Sequence, residues 1–345
     1  MILAAGFGTR LFPLTIDRTK PAIPFLGRPL VGYVAEYVAR YGFDEVVVNL
    51  HHEPESVQAA LGDGGKFGVK INYALEFPHI LGTAGALANA RELLGDTTFL
   101  VVNGKIVTDI DLRAALETHR RTNAVATMIL KPNAKRERFS IVETNDGMVV
   151  GFGGFPEQSP KSKVQSLRSS EQQADVGLEA LDFGRNEVPL MYTGIQILEP
   201  AVFDYIPRGV ESDIISVFYR RAILEGKTIA AHVASGMWYE LSTIPRYLDI
   251  TLAVLNGVNN GVVKGDNSVV AESANVKDSI LWDDVTVEDG AMVSRAILGD
   301  NVCIKAGETI DNAAIVRADL VRSAEVPEKA LPGYYSGDNY IVPLL

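Results

Sequence analysis

Residues 3–30 read LAAGFGTRLFPLTIDRTKPAIPFLGRPL. The apolar run MILAA at the start is a short strand, and it stops at Gly6 and Gly8, with one residue between them. A Gly-x-Gly loop at a strand end lets backbone N–H groups come close to an anion. Two cations follow. Arg10 offers a planar fork of donors for phosphate oxygens, and Lys20 adds a compact ammonium. The stretch has no third glycine at dinucleotide spacing and no Gly-Lys-Ser/Thr, so it matches neither common nucleotide motif. Alone it reads equally as a phosphate loop or as a tight turn with solvated basic residues.

Outward from this stretch, strands and helices alternate as far as about residue 256. Strand patterns fall at 44–50, 69–75, 97–103, 124–130, 139–144, 190–198, 228–233 and 237–241, with helical patterns at 29–42, 54–62, 83–94, 212–225 and 243–256. Asp111 stands as the N-cap of one more helix, ahead of Leu112, Ala115 and Leu116. This rhythm predicts a Rossmann-like α/β domain over 1–257, with a mostly parallel mixed sheet and helices on both faces. Residues 156–188, rich in Ser, Gln and charge, read as a polar surface insertion.

After residue 261 aliphatic residues recur every five or six positions, at Val270, Val276, Val285, Ala291, Ile297 and Val302, then Ile304, Ile310 and Ile315. Neither a helix nor a simple strand has that period. It predicts a β-solenoid over 262–330, about 18 residues per three-sided coil, with 331–345 as a tail. So short a solenoid caps itself poorly, so it should pack on the first domain or on another subunit.

The chain has 345 residues, 47% of them hydrophobic, which suits a globular protein of two domains. No apolar run approaches the ~18 residues of a membrane span, and no secretory leader pattern opens the chain. The lone Cys303, between Val302 and Ile304, reads as a small buried hydrophobe in a reducing, cytoplasmic setting. A net charge of -11 argues against nucleic acid and anionic membranes as partners. A phosphorylated small molecule, needing only two or three placed cations, is compatible with it.

GFGTRLFPLT followed by DRTKPAIPFLGRPL resembles the signature of the sugar-1-phosphate nucleotidylyltransferases. So do LGTAGALANA (81–90), the NGK turn at 103–105, YTGIQILEPAVFDYIP (192–207) and MWYELSTIPRYLDITLAVLNG (237–257). The resemblance runs through the chain in order, and within the family it is most like mannose-1-phosphate guanylyltransferases of bacteria. It implies an NTP and a sugar 1-phosphate as substrates, magnesium as cofactor, a left-handed β-helix at the C-terminus and a homo-oligomer formed through it. It implies Arg10 on the leaving pyrophosphate and Lys20 bridging the α-phosphate and the sugar phosphate. Ala4, Gly6, Gly8, Thr9, Gly82, Thr83 and Gly85 would bind the nucleotide, and Gly104, Lys105, Thr193 and Gly194 the sugar phosphate.

The departures from the family fall at the metal. Its two aspartate positions are Lys105 and Glu240 here; Glu240 could still ligate magnesium through its longer arm, whereas an ammonium repels a divalent cation. The Glu-Lys-Pro that would hold the sugar phosphate is replaced by GFGGFPEQSPK (151–161), which leaves Lys161 or Lys163 as candidates. Three readings stay open: Lys105 neutralises phosphate charge in place of a metal; Asp109 or Asp111 supplies a ligand instead; or the chain is a weak or inactive regulatory paralogue that binds nucleotide-sugar. His51, His52 and His79 read as pocket rim or surface, and Trp238 and Tyr239 as core and pocket wall.

Overall fold

The computed structural model describes residues 1–137, 139–153, 155 and 188–344. The insertion read at 156–188, with Lys161 and Lys163, therefore lies outside the described residues except for Val188.

A nine-stranded sheet organises the first domain. From one edge the strands are Lys70–Leu75, Glu45–Leu50, Ile2–Leu3, Phe99–Asn103, Leu190–Leu198, Ala126–Pro132, Ile229–Val233, Met148–Phe152 and Ile141–Asn145. All run the same way except Leu190–Leu198 and Met148–Phe152. Side-chain alternation along each strand supplies two buried layers. Val46, Val48, Leu50, Leu100 and Val102 face helices Leu30–Ala39, Pro54–Leu61 and Leu112–Thr122. Val47, Val101, Met128 and Leu130 face Gly82–Asn89 and the segment around Phe218 and Ala222. Asp111 caps its helix by accepting from Arg113 N at 2.9 Å.

Strand order reverses at Ile2–Leu3, which pairs with Glu45–Leu50 on one side and Phe99–Asn103 on the other. Such a switch point leaves a crevice at the carboxyl ends of the diverging strands. A separate ribbon pairs Ile106–Thr108 with Trp238–Glu240, setting Glu240 opposite Ile106. Leu241 N donates to Lys105 O at 3.1 Å, extending that ribbon to the crevice.

Residues 263–317 form a parallel solenoid of three strand columns. One runs Val263, Ile280, Ile297, Ala314; another Val269, Thr286, Cys303; the third Asn275, Met292, Thr309. The repeat is 17 residues, one shorter than the sequence period suggested. The steps 263 to 269 and 269 to 275 are six residues, but the step from 275 to 280 closes the coil in five. Corner residues repeat with the coil. Asn267, Asp284 and Asn301 have φ of 56°, 58° and 59°, a left-handed conformation that Asn and Asp accept readily.

The expectation that the solenoid would cap itself poorly is corrected at its C-terminal end. Asn339–Pro343 lies antiparallel on Thr309–Arg317, and Tyr334–Ser336 pairs outside it. The stretch read as a tail is a hairpin over the last coil. The solenoid also packs on the first domain: Ile280, Trp282, Ile297, Ala314 and Val316 share one core with Leu11, Leu14, Phe25, Tyr247 and Leu248. Cys303 is half-buried at the solenoid surface, its thiol 3.4 Å from Glu288 Oε1, where the sequence suggested a core position.

Candidate active site

Two neighbouring cavities open beside the ribbon, the smaller at the switch point and the larger at the end of strand Ala126–Pro132. The smaller, about 230 Å³, is lined by Ala4, Gly6, Gly8, Lys20, Asn49, Glu76, Gly82, Thr83, Asn103 and Lys105. The larger, about 930 Å³, is lined by Arg10, Lys131, Lys135, Glu137, Trp238, Tyr239, Glu240 and Arg246. Between them stands an ion pair, Lys105 Nζ to Glu240 Oε1 at 3.2 Å, with Lys105 on the small cavity and Glu240 on the large one.

Local geometry explains how residues 8 and 20 come together. Gly8 has φ +67° and starts the single turn Thr9–Leu11. Its carbonyl accepts from Thr15 Oγ1 at 3.2 Å, so the chain doubles back. A Cβ on Gly8 would lie 3.1 Å from Thr15 Cγ2 and 3.4 Å from Lys20 Cβ, so glycine permits this close return. Lys20 is buried, and burial pushes its pKa down to about 8, helped by the charges of Lys105 and Arg10 and opposed by Glu240. Arg10 is exposed and free of ion pairs among the described residues.

The proposed nucleotide residues divide on inspection. Gly6, Gly8, Gly82 and Thr83 line the small cavity. Ala4 lines it too, but its N–H donates to Asn49 Oδ1 at 2.8 Å. Thr83 Oγ1 bonds to Asp213 Oδ1 at 3.2 Å and receives Ile214 N at 2.9 Å, so its hydroxyl ties down a neighbouring segment. Gly85 faces a backbone: a Cβ there would meet Val210 O at 2.6 Å. Thr9, the first residue of the turn, lines neither cavity.

On the other side, a Cβ on Gly104 would be 2.9 Å from Leu3 O, and one on Gly194 would be 2.2 Å from Asn103 Nδ2. Both glycines serve strand-to-strand approach at the crevice floor. Thr193 is buried with its hydroxyl donating to Ile129 O at 2.7 Å, and its carbonyl accepts from Trp238 Nε1 at 2.9 Å. That arrangement holds the wall but turns the hydroxyl away from the cleft.

The donor set does not fit a divalent cation held by protein. Among the described residues Glu240 is the carboxylate in ion-pair contact with Lys105, and that pairing occupies it. Asp111 is spent as a helix cap and Asp109 Oδ1 accepts from Met237 N, at the far end of the ribbon. The three residues of strand Ile106–Thr108 separate Asp109 from Lys105, four steps or about 13 Å along an extended chain. Among the described residues no three His, Cys, Asp or Glu are grouped so that they could hold a metal ion. His51 Nδ1 is 2.9 Å from Glu76 O, and the Phe7 ring rests against His51 and His52.

Sequence reasoning missed Lys131, Lys135 and Arg246, which line the larger cavity. Lys131 is the penultimate residue of strand Ala126–Pro132, at its carboxyl end, a signal that was available. Arg246 was not legible: its Nε donates to Glu240 O, six residues back, at 2.8 Å, but its other arm pairs with Glu137, a partner distant in sequence. The bracket Asn49 Nδ2 to Glu76 Oε1 (2.6 Å) and Leu81 N to Glu76 Oε2 (2.7 Å), which joins a strand end to two loop positions at the small cavity, was also missed.

Comparison with known proteins agrees with this architecture. A nucleotidyl transferase family model matches residues 1–257, and a GlmU-like C-terminal hexapeptide model matches 253–323. The UTP–glucose-1-phosphate uridylyltransferase of Synechocystis is 32% identical over 74% of this chain and 63% of its own length. The N-acetylmuramate alpha-1-phosphate uridylyltransferase of Neisseria meningitidis is 32% identical over 71% of this chain and 94% of its own. The mannose-1-phosphate guanylyltransferase of Mycobacterium tuberculosis is 26% identical over 75% and 65%. The chain thus spans less than two thirds of the first and third of these relatives. A Bacillus anthracis structure described as a glucose-1-phosphate thymidylyltransferase superposes with TM-score 0.58 at 21% identity, over 75% of this chain and 95% of that one, and shares the fold. No helix among the described residues is long and apolar enough to cross a membrane. With residues 1–257 matched, the chain belongs to the nucleotidyl transferase family, its relatives being sugar-1-phosphate nucleotidyltransferases, and it carries a hexapeptide-repeat C-terminus.

Proposed function

We propose that the chain joins a nucleoside triphosphate to a sugar 1-phosphate and releases pyrophosphate. The observation that carries this reading is the meeting of Arg10, Lys20 and Lys105 at the junction of the two cavities. The sugar phosphate oxygen attacks the α-phosphorus in line, a reaction that needs positioning and charge neutralisation more than covalent help. The triphosphate lies over Gly6–Thr9 with its nucleoside in the small cavity. The sugar phosphate enters through the large one, whose Lys131, Lys135 and Arg246 supply cations. Arg10 takes the β- and γ-phosphates, Lys20 bridges the α-phosphate and the attacking phosphate, and Lys105 adds a third positive charge.

GTP with mannose 1-phosphate is the substrate pair we favour, supported by guanylyltransferases among the relatives. UTP with a glucose-type 1-phosphate is the second, because two relatives at 32% identity are uridylyltransferases. The deciding experiment is pyrophosphate release across a panel of triphosphates and sugar 1-phosphates, with and without magnesium. Release with any pair supports the reading. Nucleotide-dependent thermal stabilisation without release from any pair replaces it with the regulatory one, for which the Lys105–Glu240 pair is the structural argument.

A further inference from the structure

The segment that carries Lys20 is gripped on both sides by residues from outside the sheet. Ahead of it, Arg18 is largely buried: its guanidinium pairs with Asp17 (2.9 Å) and with Asp300 of the solenoid, and lies 4.8 Å over the ring of Trp282. Asp300 is itself fixed, accepting from Asp283 N of the preceding coil at 3.1 Å. Behind Lys20, Pro24 O accepts from Tyr247 Oη, and that same hydroxyl receives Trp282 Nε1 at 3.1 Å. One solenoid tryptophan therefore touches both flanks, by stacking on Arg18 and through Tyr247.

A grip is needed at this point. Lys20 is an almost fully buried ammonium with Lys105 and Arg10 for neighbours, so desolvation and like-charge repulsion push it toward water, and the attraction of Glu240 offsets this only in part. Thr19 beside it is buried, and its hydroxyl finds no hydrogen-bond partner among the described residues, a cost that a relaxed loop would shed. Residues 17–22 are otherwise held by Thr19 N donating to Ser56 Oγ at 3.1 Å and by single-turn bonds such as Ala22 N to Thr19 O at 3.0 Å.

We propose that Asp300 and Trp282 of the solenoid, acting through Arg18 and Tyr247, are positioning residues that hold Lys20 in the small cavity, so that the C-terminal domain sets the geometry of the phosphate site. The catalytic part of this inference rests on the proposed transfer reaction. The positional part does not.

The test uses the full-length protein and the variants Asp300→Asn, Arg18→Gln, their combination, and Arg295→Asn. The last removes a different solenoid-to-domain ion pair, Arg295 to Asp249 at 2.9 Å, which does not touch 17–25. Hydrogen exchange read by mass spectrometry should become about tenfold faster in peptides covering 14–25 for the first three variants and stay unchanged for Arg295→Asn. The melting temperature should shift by less than ~2 °C for Asp300→Asn, since the solenoid core is untouched. With a substrate pair that turns over, kcat should fall ~10-fold or more while KM for the triphosphate changes little, as expected for a displaced catalytic group. The double variant should be no worse than the poorer single one, the mark of two residues in one contact. Unchanged exchange at 14–25 in Asp300→Asn, or additive losses in the double variant, overturns the proposal. Absence of turnover in the wild type counts against the transfer reaction alone, because exchange still decides the positional claim.

Discussion

Lys20 gives the sharpest prediction, because its environment fixes both a sign and a size. Burial, reinforced by Lys105 and Arg10, places its pKa at about 8 against an ordinary 10.5. The folded protein therefore binds fewer protons than the unfolded chain between about pH 8 and 10.5, and stability rises with pH across that window. Below pH 8 the penalty is fully present, on the order of 3 kcal/mol at 1.36 kcal/mol per unit. Lys20→Met should then stabilise the free protein at pH 7, with the gain shrinking as pH rises toward 10.5. A bound triphosphate reverses the balance, since an anion beside the ammonium restores its pKa. Binding should take up ~0.1 proton at pH 7, ~0.5 at pH 8 and ~0.9 at pH 9. Isothermal titration calorimetry in buffers of different ionisation enthalpy reads those numbers directly as slopes. The nucleotide's own phosphates are fully ionised above pH 8, so they add nothing in that range. Zero uptake at pH 9, or the same uptake in Lys20→Met, would refute the placement of Lys20 against the phosphates.

Three further outcomes are expected. Arg10→Ala should lower kcat by ~10²-fold or more with any productive substrate pair, the scale for losing one donor to a developing charge; an unchanged kcat would mean that the loop is misassigned. Lys105→Ala should weaken triphosphate binding without acquiring magnesium dependence, whereas Lys105→Asp should place two carboxylates together with Glu240 and make binding depend steeply on magnesium; calorimetry against magnesium concentration separates them, and identical behaviour of wild type and Lys105→Ala would show that the ammonium does not reach the phosphates. Deleting residues 262–345 should give an aggregating product by light scattering, because it strips the cover from Leu11, Leu14, Phe25 and Tyr247; a soluble fragment with intact nucleotide binding would show that the shared core is dispensable.

What the sequence disclosed was local, and what it concealed was mostly contact between distant segments. Alternating strand and helix patterns, the Gly6–Gly8 turn, the cap at Asp111 and the recurring aliphatic residues of the solenoid are each written within a few neighbouring residues. The insertion of Leu190–Leu198 between Phe99–Asn103 and Ala126–Pro132 is not, because it depends on pairing between segments far apart in the chain, such as Leu190 with Pro132 and Ile195 with Val102. The Lys105–Glu240 pair has the same character: a substitution at each position was visible, but only the ribbon of Ile106–Thr108 with Trp238–Glu240 shows that one answers the other. The coil length missed by one residue because periodicity averages over corners, and one corner in three is tighter.

The hairpin over the last coil has a consequence for growth. A parallel ladder is open-ended in principle: each coil offers the next strand the same unpaired edge, and a second molecule can supply it. Here the edge of Thr309–Arg317 is taken by a strand running the opposite way, and the outermost strand, Tyr334–Ser336, is only three residues long. The ladder changes polarity and then runs out. Growth of the ladder by stacking a further coil on this end is therefore blocked, so the hairpin removes one route by which copies of the chain could extend into a fibre.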